Sequence, residues 1–413
     1  MSEGTSAARE SSLFRALQHR LFALLWSGQT LSRVGDFMYE IALAWWVLKK
    51  TGSPEMMSLV LIFSFTPMIL LSLFGGVAVD RFSRIRLMLV SDLARGVVVS
   101  LVTFLAFSGL LQVWHIFIAS LVFGVADAFF QPAYIATVPV LTPAADLTSA
   151  NALTSMSTQA GRIIGPPLGA LIIGWGGMPL VFGINALTFF ISAACLLPML
   201  PVSLPAAEPA PHSSLREDIR EGIGIVLATP WLWICIAIFS IANITLAGPY
   251  QIAMPFLVRN HMAADVNALG LIYAMFPIGY LLGGIWMGRQ TVIRRRGLLM
   301  IFANITAGLM LGLFGLLPSL PVLMVAALIN GAALEIVGVI WTTTMQESVP
   351  NDKLGRVASI DQLGSFGLLP VGLAVAGWAT ARLGAPQVFL IGGGATALLW
   401  LLTLLHPRMR QMA

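Results

Sequence analysis

The chain has 413 residues, 58% of them hydrophobic and only 10% charged, with 23 Lys and Arg against 18 Asp and Glu and a net charge of +5. A soluble globular chain carries about 25% charged residues, so these few charges could not cover the surfaces of soluble domains. With a mean hydropathy of +0.88, the composition excludes a soluble enzyme, a nucleic-acid-binding protein and a disordered chain, and makes this a polytopic membrane protein.

Residues 1–20 are polar and charged, without the short apolar core and small-residue cleavage site of a secretory leader, so the first span is expected to be retained. Apolar segments follow at about 21–48, 55–79, 87–108, 112–138, 148–175 and 178–199, then at about 231–257, 266–288, 297–317, 321–346, 357–381 and 386–405. Each is long enough to cross the hydrocarbon core as a helix, the longer ones with tilt. Barrel strands would alternate in segments of about ten residues, which is not the pattern. The expected fold is an all-α membrane protein of twelve transmembrane helices in two pseudo-symmetric six-helix bundles, 21–200 and 231–405. A cytoplasmic N-terminal segment (1–20), a linker (201–230) and a tail (406–413) complete it.

The first segment carries Arg33, Asp36 and Glu40. Arg33 and Asp36 are three apart on one helix and can pair locally. The loop after the second segment reads Gly75-Gly76-Val-Ala-Val-Asp80-Arg81-Phe-Ser83-Arg84-Ile-Arg86. Its glycines allow close helix approach. An acid followed by arginines at a helix end can pair across the loop or meet a neighbouring helix N-terminus, latching one face of a rocking protein. The third segment carries Asp92 and Arg95, again three apart, and the fourth carries Asp127.

The fifth segment contains Gly161-Arg162-Ile-Ile-Gly165-Pro166-Pro167-Leu-Gly169-Ala170. Glycines four apart make a small-residue stripe, and Gly279-x-x-x-Gly283 offers a matching one in the eighth segment. The two prolines free backbone carbonyls and are expected to bend the helix. The Pro/Ala/Ser-rich stretch 201–214 reads as an extended linker. Leu215, Ile219, Ile223 and Val226 then recur at helical spacing among charged residues, as in a short amphipathic helix on the cytoplasmic interface.

In the second half Glu335 is the lone acid at mid-depth, with Asp361 nearer the end of its segment and read as interfacial. Spans therefore hold the cations Arg33, Arg95 and Arg162 and the acids Asp36, Glu40, Asp92, Asp127 and Glu335. Each costs about 2.5–3.5 kcal/mol on insertion scales, so a pairing or functional role is the default. Local pairing leaves Glu40, Asp127 and Glu335 with Arg162 alone, and a carboxyl group short of water takes up a proton more readily. Glu335, Asp127, Glu40, Asp36 and Arg162 are thus the proton-coupling candidates; a hydrogen bond to Asn330 or a neighbouring hydroxyl is the plainer role for Glu335. Tyr39, Trp46, Phe130, Asn243, Gln251, Asn330 and Trp341 are candidates to line a substrate cavity.

With the N-terminus inside, sixteen of the 23 basic residues fall in cytoplasmic segments and four in outer loops, which puts both termini in the cytoplasm. The halves also resemble each other: Gly75-Gly76-x-x-x-Asp80-Arg81 matches Gly283-Gly284-x-x-x-Gly288-Arg289 at an offset of 208. Parallel halves of this kind point to a transporter with a site between them. Cys195 and Cys235 lie in apolar runs, and the five histidines lack metal-ligand spacing, so neither a disulfide framework nor a metal is expected. None of the three lysines (Lys49, Lys50, Lys353) follows a glycine, so there is no P-loop, no cofactor is expected and the energy source is a gradient or another chain.

Gly76, Asp80, Arg81, Arg84 and Arg86 resemble the signature between helices 2 and 3 of the major facilitator superfamily, with Ser83 at a position where glycine is common and Gly288 replacing the acid in the second copy. Gly161, Gly165, Pro166 and Gly169 are similar to that superfamily's fifth-helix antiporter motif, with Ala170 in place of its closing glycine. Leu31-Ser-Arg33-Val-Gly35-Asp36, Asp92-Leu-Ala-Arg95 and Gly355-Arg356-Val-Ala-Ser359 resemble bacterial 12-helix drug exporters related to macrolide-efflux and enterobactin-export proteins. The resemblance implies a non-enzymatic, proton-coupled exporter of amphipathic or hydrophobic small molecules in the cell membrane, working by alternating access. Its partners are substrate, protons and the lipid bilayer, with no nucleic acid, and it functions as a monomer. An uptake symporter and a non-transporting membrane scaffold are the alternatives.

Overall fold

In the computed structural model of the chain, residues 13–201, 215–290, 293, 295–406 and 409 are described, less the side chains of 73, 77, 80, 215–219, 351 and 352. The first twelve residues, linker residues 202–214, Arg294, Arg408, Arg410 and the side chains of Asp80 and Arg216 therefore lie outside the described residues. The described chain is helical throughout. Its first part holds α1 (Arg20–Thr51), α2 (Pro54–Arg81), α3 (Arg84–Phe107), α4 (Val113–Leu141) and α5 (Leu147–Leu196). After the linker come α6 (Leu215–Ala228), α7 (Pro230–Ala242), α8 (Gly248–Phe256), α9 (Val266–Gly288) and α10 (Arg296–Leu316). Then follow α11 (Leu320–Ser348), α12 (Asn351–Phe366), α13 (Leu369–Leu383) and α14 (Ala385–Thr403). A π-helical stretch, Asn243–Ala247, joins α7 to α8, and a second, Leu257–His261, follows α8.

Among the described residues, ten helical stretches are long and apolar enough to cross a bilayer. α1, which carries Arg33, Asp36 and Glu40, is not one of the ten. One stretch, Ala144–Met199, is 56 residues long and contains a non-helical Gly177 (φ 78°, ψ 173°). The backbone stays helical through Pro166 and Pro167, so the break in α5 falls at Gly177.

Local chemistry sets the helix ends. Gly52 closes α1 in the left-handed region (φ 63°), donating its N–H to the Leu48 carbonyl at 3.0 Å. Ser53 then caps α2 by accepting from the Met56 N–H, with Pro54 in the first turn. Ser83 caps α3 in the same way, so the serine that replaces glycine has a structural use. Asp265 caps α9 with two backbone N–H groups, those of Asn267 and Ala268.

The glycine stripes decide which helices touch. A methyl group on Gly165 would lie 2.5 Å from Phe37 Cβ, and one on Gly169 would lie 2.9 Å from Ile41 Cγ2, so this stripe seats α1 against α5. The Gly279 and Gly283 stripe faces the α11 backbone at Leu328 and Ala332. The two stripes thus serve different neighbours. α9 reaches α5 through Gly270 instead, whose added methyl would lie 2.9 Å from the Pro166 carbonyl oxygen.

The amphipathic periodicity after the linker forms α6, with Val226 buried. Its Glu221 carboxylate takes Lys353 at 3.0 Å and Arg356 of α12, which docks this helix on the segment after α11. The apolar segment at about 357–381 is two helices, because the chain turns at Gly367 and Leu368 between α12 and α13.

Candidate functional site

α1, α2, α4 and α5 surround a cavity of about 490 Å³ that α8 and α9 close from the other half of the chain. Its charged lining is three carboxylates, Asp36, Glu40 and Asp127, and one guanidinium, Arg162. On α1, Asp36 and Glu40 are four apart and so share a face, with Tyr39 and Leu43 beside them. Arg162 lies over the Phe37 ring at 5.7 Å and within electrostatic reach of Glu40. Asp36 accepts a long hydrogen bond, 3.5 Å, from Asn185 Nδ2.

Behind Asp127 lies a buried ionic network. Arg95 donates to Asp127 Oδ1 at 2.8 Å and to Asp92 Oδ1 at 2.7 Å. Ser192 Oγ donates to Asp92 Oδ2 at 2.6 Å, and Gln29 Nε2 donates to Ser192 Oγ. The guanidinium sits 4.7 Å from the Phe130 and Phe189 ring centroids, within cation–π distance of both. The local Asp92–Arg95 pair expected from spacing is therefore present, but Arg95 also serves Asp127, which sequence order had left to Arg162.

The other local pair is absent. Arg33 donates to the Thr154 carbonyl at 3.1 Å and to Thr158 Oγ1, and lies 5.2 Å from the Tyr134 ring centroid. α1 packs along α5, so Arg33 meets ready acceptors there, while Asp36 turns to Asn185 and the cavity. An i,i+3 pair contributes only about 0.2–0.5 kcal/mol in isolation, too little to hold the two together against these contacts.

A second cavity of about 440 Å³ lies among α7, α8, α10, α11 and α12. Of the residues named as candidates, Asn243, Gln251, Asn330 and Trp341 line it, and Tyr250, Gln251 and Phe276 line both cavities. Asn243 Nδ2 donates to the Ser365 carbonyl at 2.7 Å, and Asn330 Nδ2 to the Ala307 carbonyl at 2.8 Å. Asp361, read from sequence as interfacial, also lines this cavity.

Two cavity candidates line neither space. Trp46 is buried in the core cluster around α1, about two-thirds of a turn round the helix from Glu40. Phe130, one turn beyond Asp127, points at Arg95 instead. Glu335 is half-buried and absent from both linings; it lies beside Gly284 and Gly338, in the neighbourhood of the Tyr280 hydroxyl of α9, and the Asn330 amide donates to the Ala307 carbonyl instead. In the loop signature, Arg84 donates to the Ala136 carbonyl at 2.8 Å, at the end of α4, while Gly76, Arg81 and Arg86 are exposed. Sequence reasoning missed Tyr273 and Phe276 in the first cavity, although their spacing with Tyr280 marks one aromatic face of α9.

Two further contacts join the two parts of the chain near helix ends. Arg259 donates to the Leu48 carbonyl at 3.1 Å, near the C-terminal end of α1. A methyl on Gly377 of α13 would lie 2.5 Å from Ser58 Oγ near the start of α2.

The family described as transmembrane secretion effector matches residues 11–413. The chain belongs to that family, within the major facilitator superfamily. It is similar to macrolide efflux protein A of Streptococcus pyogenes, with 24% identity over 90% of this chain and 92% of that protein. Similarity to the multidrug efflux pump Tap of Mycolicibacterium fortuitum is 27%, over 95% and 96%. The enterobactin exporter EntS of Escherichia coli is 30% identical over 68% of this chain and 67% of its own length. A POT family transporter shares the fold at TM-score 0.72 and 13% identity, covering 94% of this chain and 96% of its own. A bacterial homologue of the iron transporter ferroportin does so at 0.72 and 16%, covering 92% and 98%. The chain is a multi-pass membrane transporter with efflux relatives and not an enzyme.

Proposed function

We propose that the protein exports amphipathic or hydrophobic small molecules in exchange for protons, by alternating access of two six-helix bundles. The supporting observation is the cavity lined by Asp36, Glu40 and Asp127 against the single cation Arg162. Arg95 already balances Asp92, so Asp127 can be neutralised without leaving a buried cation unpaired. Arg162 is within electrostatic reach of Glu40, while Asp36, among the described residues, holds only the long Asn185 hydrogen bond and is free to carry a proton. Protonating such carboxyl groups from one side of the membrane and releasing them to the other is the work that a proton gradient can do here. The antiporter motif, Gly161, Gly165, Pro166 and Gly169, then holds α1 with its two carboxylates firmly on α5.

In this reading α1 is a span despite its charges, and Ala144–Met199 is two spans parted at Gly177, giving twelve with the remaining nine stretches. The bundles are 21–200 and 231–405, with 1–20, 201–230 and 406–413 in the cytoplasm of a plasma-membrane protein that works as a monomer. The Arg259–Leu48 and Gly377–Ser58 contacts then close the outer end, and the Asp80–Arg81 loop latches the inner one in the opposite state. The names of the efflux relatives favour export over uptake.

The test is transport by the full chain in proteoliposomes carrying an imposed pH gradient, against a panel of dyes, antibiotics and siderophores. At least one compound moves uphill against the proton flow. Movement that ignores the gradient, or counterflow in the same direction as protons, contradicts the proposal.

A further inference from the structure

The second cavity has one charged group in its lining, Asp361, in a wall that is otherwise aromatic, aliphatic or amide. Trp341 Nε1 donates to Asp361 Oδ2 and Ser365 Oγ donates to Oδ1, each at 2.9 Å. A carboxylate offers about four acceptor positions, so two remain for a ligand. Among the described residues no cation lies within ion-pair distance of it. The basic residues earlier on α12, Lys353 and Arg356, are held by Glu221 instead. Three of the four amides in the wall donate to backbone carbonyls, Asn243 to that of Ser365, Asn330 to that of Ala307 and Asn304 to that of Met300, while Gln251 and the Tyr250 hydroxyl lie where the two cavities join. The cavity therefore offers a ligand apolar surface, aromatic rings, one negative charge and, at its junction with the first cavity, the Gln251 amide and the Tyr250 hydroxyl.

We infer that Asp361 selects the cargo by charge: the second cavity is a subsite for a lipophilic organic monocation, such as a tertiary amine or an onium ion. Its positive centre sits on the free side of the Asp361 carboxylate, and its apolar body lies against Phe239, Trp341 and Phe366. Aromatic faces favour a cation as well as a hydrocarbon, so the same wall serves both parts of such a molecule. A volume of about 440 Å³ holds a drug-sized ligand. The shared lining at Tyr250, Gln251 and Phe276 connects this subsite to the cavity of the proton-carrying acids. This inference rests on the reading that the two cavities hold cargo.

The test is equilibrium binding to the full chain in nanodiscs, with tetraphenylphosphonium as the cation and triphenylphosphine oxide as a neutral compound of similar build. The wild-type protein prefers the cation by at least about tenfold, the effect of one charge-assisted contact. In D361N that ratio falls to near one; in D361E, which keeps the charge, it is largely retained. Equal binding of both compounds by the wild type overturns the inference whether or not D361N folds. So does an unchanged ratio in D361N, or a ratio lost in E40Q and kept in D361N, which would seat the cation in the first cavity. Proteoliposome transport separates the two readings. Gradient-driven movement without charge preference defeats only the cation subsite, and Asp361-dependent cation binding without gradient-driven movement defeats only the exporter.

Discussion

The two cavities meet at Tyr250, Gln251 and Phe276 but are built from opposite materials. The first collects three carboxylates and a guanidinium and leans on a buried Arg95 network. The second is held by amide-to-carbonyl hydrogen bonds and has a single carboxylate. Charges withdrawn from water are costly and stay only where they are paired or used. In the proposed function the first cavity carries the proton chemistry, and the second binds an apolar body beside a single charge.

That contrast is tested most severely by R95A. The mutation strands Asp92, which is fully buried, and removes the partner of Asp127, so it should cost about 3–5 kcal/mol and lower the thermal unfolding temperature sharply. N243A probes the neutral network of the second cavity. It leaves the Ser365 carbonyl without this donor and should cost about 1–3 kcal/mol in the same assay, less than R95A. If the two mutants unfold alike, the division into an ionic and a neutral cavity is wrong.

R259A removes the contact with the Leu48 carbonyl, a hydrogen bond to a charged donor of about 1.5–3 kcal/mol at most. Cysteines introduced at Lys50 and Asn260 should then cross-link more slowly than in the parent protein, because this end opens more often. E221Q weakens a half-exposed pair with Lys353 and Arg356, where solvent screening leaves about 0–1 kcal/mol. Its unfolding temperature should barely move, and a large drop would show that α6 is a structural clamp.

The apolar spans are legible in the sequence because about twenty apolar residues in a row admit few other readings. Asp36, Glu40, Asp127 and Arg162 were legible as charges within spans, which have few uses, and the structure gathers them in one cavity; Glu335, singled out on the same ground, lines neither cavity. Tertiary partners were not legible. Residue spacing assigned Arg95 to Asp92 but could not show Asp127 arriving from α4, or Arg33 turning to α5. The glycine stripes announced close packing without naming α1 and α11 as the partners. Residue type alone does not say which side of a helix an aromatic occupies, which is how Trp46 and Phe130 entered the cavity list. Asp361 was read by depth alone, which does not tell whether the side of the helix it occupies faces a cavity.

The central claim is that the first-cavity carboxylates carry the protons. It is tested most directly by pH-gradient-driven transport in proteoliposomes with D36N, E40Q and D127N combined in a chain that still unfolds cooperatively. The account predicts that uphill movement disappears while downhill exchange of the same compound persists. Uphill transport at the wild-type rate in the triple variant would contradict it.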